Sequence, residues 1–279
     1  MNRTGLCIAL ALAAIIGIVF GLFPELDLWL AGLFFDGSRP NGFLPRAWVR
    51  YVRDTSMWVI ALFAVVPALA VILKLLLPRT RMLVPGRAVI FLLATLAIGP
   101  GLIVNVVLKD SWSRSRPIDV GQFGGEERFV AWWDPRGNCP RNCSFVTGDG
   151  SGAFWTLAPA ALTPPAWRPL AYGAALTFGA VIGVMRMSFG GHFFTDVAFA
   201  GIISFLLIWL VHGLLYRWPA TRITDEAVEG ALERAAMPLH DVLRGGRRGA
   251  GPERSSPLPA ARGEVDPRSA SGEGAQPRA

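Results

Sequence analysis

Charged residues make up only 17% of the 279-residue chain, and histidine and cysteine number three each. Against a hydrophobic fraction of 52%, so little charge excludes an ordinary soluble surface. Cys7, Cys139 and Cys143 have few histidines near them, which leaves too few ligands for a closed structural zinc site. A small-residue cleavage site is missing after the first apolar run, where Phe23-Pro24-Glu25 stands. That run is therefore expected to be a retained helix and not a signal peptide. No internal repeat is evident.

What the chain does contain is apolar blocks long enough to cross a bilayer, which takes about 20 residues per helix. Six candidates are 5–23, 57–77, 88–108, 144–162, 170–187 and 193–215. A spanning segment must satisfy its own backbone groups, so these blocks are read as helices. The expected fold class is an all-α integral membrane protein, a bundle of six transmembrane helices. Residues 24–56 mix Trp29, Phe34, Phe35, Trp48 and Tyr51 with Arg46, Arg50 and Arg53, the composition of a segment lying flat in the interface.

Six alternating helices place Arg3, the Arg79/Arg81/Arg87 loop, Arg168 and the arginine-rich tail on one side. The positive-inside tendency makes that side cytoplasmic, with both termini inside. The expected organisation is a transmembrane domain over 1–216, a short cytoplasmic helix and linker over 217–244, and a disordered tail over 245–279. Within the linker, 223–236 has amphipathic helical spacing. The tail is Gly, Pro, Ser and Arg without apolar periodicity, too poor in buriable surface to order itself. Its arginines beside a bilayer point to anionic membrane lipids as partners, not to nucleic acid. Cys7 reads as a small buried hydrophobe. Cys139 and Cys143 fall in a loop assigned to the outer side, where a disulfide is permitted and would tighten the entry to the fourth helix; zinc is the rival reading.

The chemistry sits in three short pieces assigned to that outer side. The first runs from Lys109 through Arg114 to Arg116-Pro117. Taken alone, these cations read equally well as interfacial anchors that snorkel toward headgroups. The second, Thr147-Gly148-Asp149, opens the fourth span and offers free backbone N–H groups to an anion. The third runs from Arg186 through Gly190-Gly191 to His192 and Asp196. A helix beginning near His192 would bring it onto one face with Asp196, so that the carboxylate accepts a proton from one ring nitrogen and frees the other. An Asp at the lip of an apolar span is costly unless it has a task. Permanent cations with a His-Asp pair can hold and attack a phosphate.

In this order the pieces resemble the type 2 phosphatidic acid phosphatase superfamily, PAP2. That family carries Lys-x6-Arg-Pro, then Pro-Ser-Gly-His, then Ser-Arg-x5-His-x3-Asp, on a six-helix bundle with its site at the outer face. The first pattern is complete at Lys109, Arg116 and Pro117. The third is complete at Arg186, His192 and Asp196, with Met185 where Ser is usual. The second departs: Val146, Thr147, Gly148 and Asp149 stand for Pro, Ser, Gly and His. The resemblance covers roughly residues 5–216.

It implies hydrolysis in two steps with no cofactor and no metal. His192 attacks phosphorus, Asp196 holds its tautomer, and Lys109, Arg116 and Arg186 neutralise the phosphate oxygens. Thr147, Gly148 and Asp149 add donors, and Arg114 contacts substrate or anchors at the interface. Asp149 replaces the family's proton donor, and beside several arginines it is expected to stay ionised and orient Lys109 or an arginine. The stretches 27–36 and 142–148 are similar to a bacterial branch that includes lipid A 4′-phosphatases. The implied partner is a phosphorylated lipid, at the periplasmic face of a bacterial inner membrane. Alternatives are an undecaprenyl diphosphate or phosphatidylglycerophosphate phosphatase, or a membrane protein that binds or transfers phospholipid without hydrolysing it. The 118–138 loop, with Glu126, Glu127, Trp132 and Trp133, is the expected selector.

Overall fold

The computed structural model describes residues 2–39 and 41–248, with side chains described except at 46, 48–50, 52, 239 and 241–248. Met1–His240 pack as one compact unit. Its helices are α1 Arg3–Leu22, α2 Glu25–Gly32 and α3 Arg46–Leu76, then α4 Gly86–Ser111, α5 Gly148–Phe154 and α6 Leu157–Leu162. They are followed by α7 Arg168–Ser188, α8 Phe194–Arg217 and α9 Asp225–Arg248. No strand occurs among the described residues.

Among the described residues, five helices are long and apolar enough to cross a membrane: α1, α3 from Arg53, α4, α7 and α8. The expected fourth span, 144–162, is instead two short helices, and this departs from the six-span bundle. Residues 150–158 are buried throughout, so the segment has no lipid-facing side to fill with large apolar residues. Gly150, Ser151, Gly152 and Ala153 let α3, α4, α7 and α8 close around it. The break between α5 and α6 has a local cause. Pro159 cannot donate to the Trp155 carbonyl, and Ala158 N–H takes that acceptor at 2.8 Å. Below the break, Trp155 is the largest fully buried side chain, packed with Phe91, Leu157 and Ile208. Its indole N–H donates to Thr95 Oγ1 at 3.0 Å.

α4 carries Pro100, and its middle, Ala97–Leu108, is wound with wider π-type hydrogen bonds. The proline removes one donor from the ladder, and Asn105 Nδ2 donates to the Pro100 carbonyl at 2.6 Å. The outer faces of α1 and α3 present Ile8, Ile15, Leu62 and Leu69 to the surroundings, as lipid contact requires.

The 24–56 stretch is divided between two helices. Its first part is α2, which buries Asp27, and from Arg46 it is already α3. The side chains of Arg46, Trp48 and Arg50 lie outside those described. The amphipathic helix expected over 223–236 extends as α9 to Arg248, and 249–279, where disorder was expected, lie outside the described residues. α9 docks away from the site. Lys74, buried at the end of α3, meets Glu229 at 3.1 Å, Arg87 meets Asp225 at 2.9 Å, and Gly86 leaves room for Val228.

Candidate active site

The site forms where the C-terminal ends of α4 and α7 meet the N-terminal ends of α5 and α8, beside the early part of α3. His192 lies in the turn between α7 and α8. Gly190 has φ 68 there, and a Cβ on it would meet the Phe43 ring, so the turn needs glycine. The turn is pinned by Ile118 N–H donating to the Gly190 carbonyl at 3.0 Å and Gly191 N–H to the Arg186 carbonyl at 3.0 Å.

α8 begins at Phe194, after His192, and this changes the expected His-Asp geometry. Asp196 caps the helix by accepting the Phe193 N–H at 2.8 Å. His192 Nδ1 lies 3.7 Å from Asp196 Oδ2, too far for a hydrogen bond, and 2.7 Å from the Ser144 carbonyl. A carbonyl only accepts, so Nδ1 carries the hydrogen and Nε2 keeps its lone pair. The carboxylate reaches the ring through Ser144, whose hydroxyl donates to Asp196 Oδ2 at 2.5 Å. Burial drives the imidazole pKa down to about 4, against the pull of Asp196. The ring is therefore neutral near pH 7, with Nε2 facing the Arg186 guanidinium at 3.4 Å.

Arg186 stands at that nitrogen, and the other cations lie within electrostatic reach of Arg186. Arg186 pairs with Asp149 at 3.3 Å, and Asp149 pairs on its other side with Arg53 of α3 at 3.6 Å. Lys109 Nζ donates to Asn142 Oδ1 at 3.0 Å, and Arg116 donates to the Asn142 carbonyl at 2.8 Å. Lys109 is within electrostatic reach of Arg116, Asp149, Arg186 and Arg53. Arg53, Lys109 and Arg186 thus stand about Asp149, with Arg116 within electrostatic reach of Lys109 and Arg186, an arrangement suited to a multiply charged anion. Gly148 matters sterically: a Cβ there would press on Asn105 Oδ1 and the end of Lys109. Thr147 is buried and serves as the N-cap of α5, accepting the Gly150 N–H at 3.3 Å.

Cys139 and Cys143 form a disulfide, with Cα atoms 5.7 Å apart. It closes the short loop that presents Asn142 in a left-handed conformation, φ 53. The loop is zipped to the start of the site by Cys143 N–H donating to the Lys109 carbonyl at 3.1 Å and Ser144 N–H to the Arg114 carbonyl at 2.8 Å.

Residues 87–220 match the PAP2 superfamily. The chain is 38% identical over 227 residues to a lipid A 4′-phosphatase of Francisella tularensis subsp. novicida (strain U112), covering 78% of this chain and 98% of that protein. The chain belongs to the PAP2 superfamily. A lipid A 4′-phosphatase of Rhizobium leguminosarum is 37% identical over 115 residues, 41% of this chain and 49% of that protein. No solved structure matches. As a PAP2 member the chain is a membrane lipid phosphatase, a phosphomonoester hydrolase.

Around the PAP2 motifs the structure adds residues that spacing did not reveal. Arg53 lies outside every motif, in the segment read as interfacial. Asn142 bridges the two cations of the first motif. Arg114 neither anchors at the interface nor faces a substrate. It is fully buried, donating to Asp196 Oδ1 at 2.7 Å and to Asp27 Oδ2 at 2.8 Å. Asp27 came forward only through the family resemblance. In the expected selector loop, Trp132 is committed to packing, 4.4 Å from Phe199 between ring centroids, while Trp133 stays half exposed.

Proposed function

We propose that this PAP2 enzyme removes the 4′-phosphate of lipid A at the periplasmic face of a bacterial inner membrane through a phosphohistidine. The observation that carries the reading is the 38% identity across nearly the whole length of a lipid A 4′-phosphatase. The position of the motif side chains around one neutral imidazole agrees with it. His192 Nε2 attacks phosphorus while Lys109, Arg116 and Arg186 hold the phosphate oxygens, with Gly148 giving Lys109 its space. The N–P bond forms as the P–O bond to the sugar breaks, and water then hydrolyses the phosphohistidine.

The leaving sugar oxygen needs a proton. Asp149, engaged by Arg53 and Arg186, orients those guanidiniums. A guanidinium keeps its proton at any ordinary pH, whereas a lysine ammonium can give one up, so Lys109 is assigned as the donor. Thr147 supports α5 beneath the phosphate site. The outward orientation is supported by the disulfide on the site's side, which suits an oxidising compartment, and by Arg79, Arg81, Arg87 and Arg168 on the loops expected at the opposite side.

The test is phosphate release by purified protein from lipid A, undecaprenyl diphosphate and phosphatidylglycerophosphate. Lipid A bearing a 4′-phosphate is expected to be the preferred substrate, and His192→Ala is expected to lose roughly 1,000-fold or more, on the order of the loss of a nucleophile. Equal rates for His192→Ala and wild type would end the mechanism, and a preference for another lipid would end the substrate assignment.

A further inference from the structure

Asp196 is neutralised where it stands. Its Oδ1 receives Arg114 NH1 at 2.7 Å, and the same guanidinium gives NH1 to Thr195 Oγ1 at 2.8 Å and NH2 to Asp27 Oδ2 at 2.8 Å. Its Nε donates to the Val130 carbonyl at 3.2 Å, and its face lies 4.4 Å from the Phe193 ring centroid. Having accepted from Arg114, the Thr195 hydroxyl passes its own hydrogen to Asp27 Oδ2 at 2.6 Å, while Thr195 N–H donates to Oδ1 at 3.1 Å. Arg114 NH2, the Thr195 hydroxyl and Thr195 N–H all point their hydrogens at Asp27, the arrangement of a carboxylate, against the rise in pKa that burial and the neighbouring Asp196 charge impose. Asp27, Arg114 and Asp196 are all at most 1% exposed.

Two carboxylates sharing one guanidinium leave one net negative charge in a sealed site. That charge has a use. When Nε2 bonds phosphorus and Nδ1 keeps its hydrogen on the Ser144 carbonyl, the imidazole becomes a cation. The electron pair of the broken P–O bond leaves with the sugar oxygen, which takes its proton from Lys109. Where the ring is only 1% exposed, the new ring cation needs a fixed anion beside it. Asp196 with Arg114 alone is neutral. We infer that Asp27, on a helix outside all three motifs, is a positioning residue for phosphoryl transfer: acting through Arg114 and Asp196, it makes the assembly under His192 a net anion. The inference rests on the proposed role of His192 as nucleophile.

The test is a charge-balance series on the purified full-length protein, reading kcat and KM for 4′-phosphorylated lipid A. Asp27→Asn brings the assembly to neutrality and is expected to lower kcat at least tenfold with KM within twofold. Arg114→Gln together with Asp27→Asn restores one net negative charge, carried by Asp196, and is expected to raise kcat at least threefold above Asp27→Asn alone. A bridge that merely held the fold would make the double variant no better than its worse parent, and that result overturns the inference. So does an Asp27→Asn kcat within twofold of wild type. Should either protein carrying Asp27→Asn fail to fold in detergent, Thr195→Val decides, because it keeps all three charges and removes the hydroxyl link. A kcat within threefold of wild type supports charge balance, and a larger loss overturns it. His192→Ala separates the two levels: if it is inactive while the series fails, only this inference falls; if it matches wild type, the reading beneath it falls.

Discussion

His192 Nδ1 lies 2.7 Å from the Ser144 carbonyl and 3.7 Å from the Asp196 carboxylate. Main chain, and not an acid, fixes the tautomer. A backbone acceptor cannot be protonated or titrated away, so Nε2 stays the free nitrogen for as long as the Ser144 segment keeps its place. Asp196 then acts as a neighbouring charge and as the cap of α8.

The neutral imidazole predicts how stability follows pH. Burial holds the folded pKa at about 4, against 6.5 for the unperturbed ring. Between those values the unfolded chain binds a proton that the folded chain refuses, so stability rises with pH across this window and falls as pH drops from 6.5 toward 4. Thermal unfolding in detergent, compared with the non-titrating His192→Gln, is expected to show the wild type losing ground over that range. Parallel curves for the two proteins would contradict it.

Lys109→Arg keeps the positive charge and removes a donor able to release a proton. Its kcat on lipid A is expected to fall by about 100-fold, within the span of general acid catalysis. Its kcat on p-nitrophenyl phosphate, whose leaving group needs no proton, should stay within about fivefold of wild type, since only the acid step is lost. Equal losses on the two substrates would assign Lys109 to binding alone.

Asp149 occupies Arg186 and Arg53 before any phosphate arrives. Asp149→Asn removes that competitor, so inorganic phosphate should inhibit more strongly, by about fivefold, on the order of one partly exposed ion pair. The variant should also keep measurable turnover. Complete inactivity, in protein that still folds, would make the carboxylate an obligatory participant.

Replacing Cys139 and Cys143 by Ser opens a loop with a sequence separation of 4, for which closure entropy contributes about 2 kcal/mol. Because Asn142 receives both Lys109 and Arg116, KM for the phosphorylated lipid is expected to rise several-fold while kcat changes little. An unchanged KM would mean that Asn142 is positioned without the clip.

Much of the site was legible because its spacing is local. Lys109 to Arg116 and Arg186 to Asp196 each lie within a single turn-and-helix unit, and both units lie at one end of the spans. Asp27 was not legible by this route, since its aromatic neighbours give α2 the composition of an interfacial segment and its partner Arg114 is 87 residues away. The Ser144 carbonyl was invisible for another reason: no side-chain pattern reports what a backbone acceptor does. Hydropathy misjudged 144–162 because it gauges contact with lipid, and the middle of this segment is enclosed by protein.

That last feature bears on how the molecule is built. Helices of 7 and 6 residues rise about 10 Å each, and a hydrocarbon core about 30 Å thick admits neither of them alone. The segment finds protein on all sides only where α3, α4, α7 and α8 enclose it, and two of these follow it in the sequence. The Thr147 to Asp149 corner, and with it the pairing with Arg186, therefore depends on walls supplied later in the chain, and a chain cut before α8 is expected to release no phosphate.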